Sequence, residues 1–458
     1  MAIISLREYD SLHVGAADKA RLSVSPSQAD ALVRLRATVG ADVFKFTNRT
    51  TLKAQQYVGT VQVGRTTIEV LPKIEGDVTT VRKNLVAMLS VALDLDVKAG
   101  DATPMATQTL SILEALIRIF CSKLIYQTHR GLVRRYERRE ENLAVLRGRL
   151  GVLEQVRKNA AHPERMYCRY EEFHEDNALN QILKAAVRLL LRVSRDVTNQ
   201  RELGELLLIF QEVSDCSTQT LAWKTVTLDR LSWRYRQVFT LARLFLNGTP
   251  PDVTAGSEGA FSLFFDMNIL FEEYIGRMAQ RVFGKTGWRI TRQGPQRHAA
   301  LMEATGMPVF AMRPDVLARG ASDSKFAWIL DTKWKLLSPE EVKDGVAQGD
   351  MYQMLTYGAC YRCDDIVLLY PHHGEMGHAP GVRNVFVANL PESLDHQTSQ
   401  RRVRIASIEL SSLQSVPKQL LALFPAPAAS LISCAEERCA VTSALAPHAK
   451  ASSVMAPC

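Results

Sequence analysis

The sequence predicts an α+β chain of several domains: an N-terminal β module, a helical region, and a C-terminal α/β domain with a mixed sheet flanked by helices. Three observations carry this prediction. Runs of alternating or β-branched residues crowd residues 1–80, apolar residues at i, i+3, i+4 spacing dominate residues 81–246, and strand and helix patterns alternate across residues 260–424. At 458 residues the chain is about three domain-lengths.

In the N-terminal module a short helix is expected over residues 27–39. Strands are expected at 44–46, 57–63 and 66–71, with Gly64 and Arg65 as a hairpin turn and Pro72 as the stop. From residue 81 the long segments 109–128, 177–197 and 200–213 read as core helices. Between them, the run from Arg134 to Arg139, followed by Arg147 and Arg149, is basic with interspersed acids. It fits DNA phosphates or an acidic partner, and equally a solvated face with i, i+3 pairs such as Arg134 with Glu137 and Arg138 with Glu141. Residues 247–259 are rich in Gly, Pro, Thr and Ser and read as a connector, which sets the domain boundary there.

The C-terminal domain opens with an amphipathic helix over residues 264–281. Its apolar stripe is formed by positions 267, 270, 271, 274, 275 and 278, and Glu272 and Glu273 lie away from it. Gly284 reads as the C-cap of this helix and residues 288–293 as a strand offering Arg289 and Arg292 to a phosphate backbone. Then come two strands joined by the polar turn 320–325. If that turn centres on Asp323, Asp315 stands opposite Asp331, and the two-residue period puts Ile329, Asp331 and Lys333 on one face. Opposed carboxylates are unfavourable unless a cation lies between them. Oxygen ligands from Asp315, Asp331 and the carbonyl of Thr332 suit Mg²⁺, and Lys333 can orient a water or offset charge on a phosphate. The competing reading is a solvated surface hairpin. Downstream, a helix over residues 350–361 with Asp350 as N-cap places Gln353 and Tyr357 on one face, and residues 366–370 read as a buried strand ended by Pro371.

Asp315, preceded by Pro314, and Asp331-Thr332-Lys333 resemble the PD-D/ExK nuclease motif, in the order helix with Glu, strand, strand with Asp, strand with Asp-x-Lys, helix with Gln-x-x-x-Tyr, strand. Within that superfamily, residues 265–274, Arg313-Pro314-Asp315-Val316, residues 330–335, residues 350–357 and Leu368-Leu369-Tyr370-Pro371 resemble the McrC family, the nuclease subunits of McrBC-type modification-dependent restriction systems. Residues 62–74, 142–151 and 170–180 extend the resemblance upstream, over most of the chain to about residue 420. The resemblance implies a Mg²⁺-dependent endonuclease acting on DNA that carries 5-methylcytosine or another modification. It also implies a McrB-like AAA+ GTPase hexamer as partner, contacted by the N-terminal half and stimulated by this chain. Asp315 and Asp331 would bind metal, Lys333 would assist the water, and Glu272 would bind metal through water or join a second site. Glu272 is chosen over Glu273 on the family pattern Leu270-Phe271-Glu272. Gln353 and Tyr357 would orient the metal ligands or contact the scissile strand, or serve as packing behind them. Two other classes remain: a stand-alone repair nuclease resembling RecB-type enzymes through Gln353 and Tyr357, and a protein that mainly regulates the GTPase ring.

Composition agrees with these expectations. The net charge of +8 favours a polyanionic partner. No apolar run reaches the roughly 18 residues of a membrane span and the N-terminus lacks a signal-peptide pattern, so a cytoplasmic protein without a membrane partner is expected. Eight cysteines are too sparse for a disulfide framework; Cys360 and Cys363 form a lone C-x-x-C and read as packed thiols. His372, His373 and His378 have the wrong spacing for a zincin helix and read as loop polarity. Gly284-Lys285-Thr286 lacks the upstream glycine of a P-loop, where Ala279 stands, so the chain itself should not hydrolyse nucleotide. Residues 425–458 read as a mobile tail without a catalytic role.

Overall fold

The computed structural model describes residues 2–15, 22–64, 66–95, 110–248, 261–320, 323–388 and 400–424. Arg65, most of the expected connector and the expected tail therefore lie outside the described residues. The architecture is mixed α+β, in two compact units: Met1–Lys73 with Asp77–Met267, and Ile74–Gly76 with Asn268–Cys458.

The first unit holds two four-stranded sheets. β1 (Ala2–Arg7) runs parallel to β7 (Thr66–Leu71), which continues antiparallel to β6 (Tyr57–Val63) and then β11 (Phe261–Asp266). The other sheet has the order β3 (Ser23–Val24), β2 (Ser11–Val14), β5 (Thr51–Ala54), β4 (Phe44–Asn48). Helix α1 (Pro26–Val39) starts at a capping box between Ser25 and Gln28 and stops at Gly40 in the left-handed conformation. Leu12, Leu32, Phe44, Leu52, Val61 and Ile68 form the core here.

β11 corrects two expectations. Residues 264–266 are strand, not helix, and the boundary between units falls after Met267 rather than at 247–259. The reason is tertiary: the aromatic-rich segment pairs along β6, with Phe264 edge-on to Phe44 at 6.2 Å. Gly59 in β6 permits this pairing, because a Cβ there would lie 2.0 Å from the Leu263 carbonyl oxygen.

Helices α2 (Val78–Ala92), α3 (Ile112–Thr128), α4 (Val152–Lys158), α5 (Ala178–Val193), α6 (Val197–Ile209) and α7 (Arg236–Asn247) complete this unit with a separate sheet. Asp77, Ser111, Asn177 and Asp196 cap α2, α3, α5 and α6. Fully buried Glu69 of β7 accepts from Arg82 Nε and Nη2 of α2 at 3.0 and 2.8 Å and from the Ile112 amide of α3 at 2.7 Å. One carboxylate thus satisfies a guanidinium and a helix N-terminus together. Glu69→Ala would leave the Ile112 amide unpaired and the part-buried Arg82 with only Ser5 Oγ as partner, and it should cost about 3 kcal/mol of stability, read as a lower urea midpoint.

The basic stretch is not helical. β8 (Arg135–Leu143) pairs antiparallel with β10 (Met166–His174), which also pairs with β9 (Arg149–Leu150). The expected i, i+3 pairs are therefore replaced by others: Arg134 pairs with Glu175 at 3.4 Å, while Arg139 and Arg147 reach Glu172 across the sheet at 3.1 and 2.9 Å. The period-2 alternation of Arg135, Glu137, Arg139 and Glu141 is the pattern that a helical reading overlooks.

In the second unit α8 (Met267–Phe283) precedes a six-stranded sheet in the order β12 (Trp288–Arg292), β15 (Val316–Gly320), β16 (Trp328–Thr332), β17 (Asp365–Pro371), β19 (Arg402–Ile408), β18 (Gly381–Val387). β12, β15 and β16 are antiparallel neighbours, and β16, β17 and β19 run parallel. β16 and β17 are bridged by α9 (Gln348–Tyr361), whose Met354, Tyr357 and Tyr361 pack on Leu317, Ile329, Ile366 and Leu368. α9 begins after Ala347, so Asp350 is not its N-cap; it lies in the first turn and binds Lys335 at 3.0 Å. A separate hairpin, β13 (Arg297–Leu301) with β14 (Pro308–Met312), and a last helix, α10 (Val416–Leu423), complete the unit. Among the described residues, no helix is long and apolar enough to cross a membrane.

Candidate active site

β15 and β16 pair with Val316 opposite Leu330 and Ala318 opposite Trp328, so continuing the register one step, as the sequence predicts, sets Asp315 against Asp331. Both carboxylates then sit at the same end of adjacent strands. Asp331 is 2% exposed. Asp315 accepts from the Thr332 amide and hydroxyl, each at 2.7 Å and each on Oδ2, so Thr332 contributes its N–H and O–H to fixing Asp315. Gln293 at the end of β12 ties the strand in from the other side, its amide donating to the Asp315 carbonyl at 2.8 Å.

Lys333 follows β16 and points back to Asp331, with Nζ 2.7 Å from Oδ2. The approach is off-line for a hydrogen bond, so the buried Oδ2 has an ion-pair neighbour but no aligned donor. Nζ donates instead to Gln353 Oε1 at 3.0 Å. Gln353 Nε2 in turn donates to the Tyr357 hydroxyl at 2.9 Å, and that hydroxyl lies 3.4 Å from the Arg313 carbonyl. The four-residue spacing of Gln353 and Tyr357 on α9 thus becomes a relay of oriented dipoles ending on the ammonium.

Glu272 and Glu273 part company. Glu273 is held by Arg292 at 2.8 Å and Arg277 at 3.3 Å, which also means that Arg292 is engaged rather than available to a phosphate; Arg289 is exposed. Glu272 accepts from Gln293 Nε2 at 2.9 Å, and its charge is felt by Asp315 and Asp331. The structure brings together Glu272, Asp315, Asp331, Lys333, Gln353 and Tyr357, and adds Gln293, Lys335 and Asp350, which the sequence reading left out of the site. Gln293 stands between the Trp288–Arg292 strand and Gly294-Pro295, and its left-handed φ of 47° marks it as specially placed.

The electrostatics follow from crowding acids in a buried place. Burial, then Asp331, pushes Asp315 up to about 7. Burial also raises Asp331 against the opposing pull of Lys333, and burial with Asp315 raises Glu272. Burial alone would lower Lys333, but Asp331 outweighs it and the ammonium is held. Tyr357 is raised by burial and by both aspartates, so its hydroxyl keeps its proton.

A buried and a part-buried carboxylate in repulsion, the buried one with an oxygen lacking an aligned donor, fit a hard divalent cation. Mg²⁺ binds through one or two carboxylates and keeps several waters. Among the described residues no group of three His, Cys, Asp or Glu is placed to hold a metal ion. Cys363 is buried with its thiol pushed up to about 12 by that burial, and Cys360 is partly exposed, so both are packed thiols.

A family model described as McrBC 5-methylcytosine restriction system component matches residues 52–371. Among solved structures, a half-complex from the tetradecameric assembly of Thermococcus gammatolerans McrB AAA+ hexamers with bound McrC contains a chain 22% identical at a TM-score of 0.65, with 94% of this chain and 100% of that one covered. A Thermococcus gammatolerans McrBC complex gives 25% identity over 62% of this chain and 88% of that one, at a TM-score of 0.48. A sequence comparison with curated proteins finds no match. At its identity the first of these likenesses is one of fold.

Proposed function

Because the chain belongs to the family of McrBC 5-methylcytosine restriction system components, we propose that it is the nuclease subunit of such a system, with a PD-D/ExK core that hydrolyses DNA phosphodiesters with Mg²⁺. The observation that supports this most directly is the apposition of Asp315 and Asp331 beside Lys333, with Asp331 Oδ2 buried and lacking an aligned donor.

Asp315, Asp331 and the Thr332 carbonyl would hold the ion, and Glu272 would reach it through water. When bound, Mg²⁺ supplies a Lewis acid for a phosphoryl oxygen and lowers the pKa of a water. Thr332 fixes the rotamer of Asp315, and Gln293 fixes the strand end that carries it. Lys333, held charged, orients the attacking water and offsets negative charge growing on the phosphate. Gln353 aims the ammonium and Tyr357 fixes the amide flip of Gln353. Lys333→Met should therefore lower cleavage about 10²- to 10³-fold. Gln353→Ala, which only loosens Lys333, should have the smaller effect.

The partner proposed is a McrB-like AAA+ GTPase hexamer, as in the Thermococcus gammatolerans assembly, with DNA carrying 5-methylcytosine or another modified base as substrate. Methylated supercoiled plasmid should be cut when this chain, the GTPase, GTP and Mg²⁺ are all present, and EDTA should stop it. Cutting by this chain alone would instead indicate a stand-alone nuclease. GTPase stimulation without cutting would leave only a regulator.

A further inference from the structure

We propose that the β13–β14 hairpin is a wedge that opens a base step of duplex DNA beside the site, with Phe310 as the inserted side chain. This rests on the nuclease reading and adds how the substrate is engaged.

The hairpin is built into the site. β14 ends at Met312, and only Arg313 and Pro314 separate it from Asp315. Its base is anchored on α9: the Tyr361 hydroxyl lies 2.8 Å from the Met312 carbonyl and 2.6 Å from that of Pro295, and Arg297 stacks 4.9 Å over the Tyr361 ring and donates to the Cys360 carbonyl. Its outer part is apolar where a solvated hairpin would be polar. Leu301, Met307 and Phe310 are 69%, 59% and 73% exposed. Phe310 also has a φ of 56°, between Val309 and Ala311, which pair with Ala300 and His298. A bulky residue in the left-handed region is strained, and such strain collects where a side chain must be aimed.

Chemistry selects the occupant. The neighbouring site is read as acting on a phosphodiester, and His298 and the exposed Arg313, whose Nε donates to the Gln293 carbonyl, flank the base of the hairpin beside the anchoring Arg297, against Glu303 as its one acid. Phe, Leu and Met above basic residues are the side chains that enter the minor groove and unstack a step while the cations hold the backbone. A step opened there bends the duplex and presents its backbone to Asp315 and Asp331.

The test uses the full chain with its GTPase partner and compares wild type with Phe310→Ala, Phe310→Trp and the double variant Leu301→Ser/Met307→Ser. Binding to a duplex containing 2-aminopurine in EDTA should raise fluorescence for wild type and Phe310→Trp. Phe310→Ala and the double variant should lose that rise, with affinity about tenfold weaker, the size that base–aromatic stacking carries. In Mg²⁺, Phe310→Ala should cut paired DNA about tenfold more slowly, and a duplex with an unpaired bubble should restore its rate. Wild-type fluorescence from Phe310→Ala, or equal loss on paired and bubble substrates, would overturn the wedge. So would a change of oligomeric state with DNA behaviour unchanged, which would make the hairpin a protein contact. Failure of wild type to cut either substrate would count against the nuclease reading, and the fluorescence would still decide the wedge.

Discussion

Asp331→Ala should abolish Mg²⁺-dependent plasmid cleavage, by a factor on the order of 10³ or more, since it removes a metal ligand and the partner of Lys333 together. The same variant should still associate with the GTPase and stimulate GTP hydrolysis, because Asp331 belongs to the second unit and the N-terminal half is the part expected to contact the GTPase. Parallel cleavage and GTPase assays on one preparation separate the two activities. Equal cleavage by variant and wild type would remove Asp331 from the chemistry.

Asp315→Asn should destroy cleavage and yet stabilise the protein without metal. The Asn Oδ1 can still accept from the Thr332 amide and hydroxyl, while the charge that opposes Asp331 is gone. The folded pKa of Asp315 is raised from 3.8 to about 7, so its contribution to stability is fully present below pH 3.8 and is lost as pH rises through 7. The variant escapes that loss, so its advantage should be absent near pH 3.8 and largest at pH 8. Water reaches Asp315, which trims the full linkage to on the order of 2 kcal/mol, a rise in melting temperature of a few degrees. Mg²⁺ should raise the wild-type melting temperature at pH 8 and have little effect on Asp315→Asn. A variant less stable than wild type at pH 8 would mean that Asp315 is a structural carboxylate.

The legible parts of this site were those governed by local spacing. The two-residue period and a turn centred on Asp323 suffice to set Asp315 against Asp331, and a helical period suffices to bring Gln353 to Tyr357. The choice of Glu272 over Glu273 came from the family pattern. Three-dimensional partners favour the same choice, since Arg292 and Arg277 occupy Glu273. Other features were set by distant pairing and had no local signature. Residues 264–266 continue the helical pattern of the segment that follows, and pairing along β6 makes them strand. The charges of residues 134–141 suit a helix pairing at i, i+3, and their true alternation becomes meaningful once β10 lies alongside. Gln293 has no motif to announce it, because its place comes from four bonds to residues more than nineteen positions away.

The β6–β11 pairing also limits how this protein can be dissected. The second unit resembles a cassette to be excised at the Gly- and Pro-rich stretch, but a cut there would carry β11 away with it and leave β6 with a bare edge. Exposed edges recruit other chains, so such a fragment should aggregate for reasons unrelated to its function. A graft that respects the molecule would be joined after Met267, and its acceptor would also have to supply Ile74–Gly76, where Glu75 caps the Gly374 amide. The two units are thus interleaved in the sequence more than a linear domain map implies, and exchanging the second unit between relatives requires two splice points rather than one.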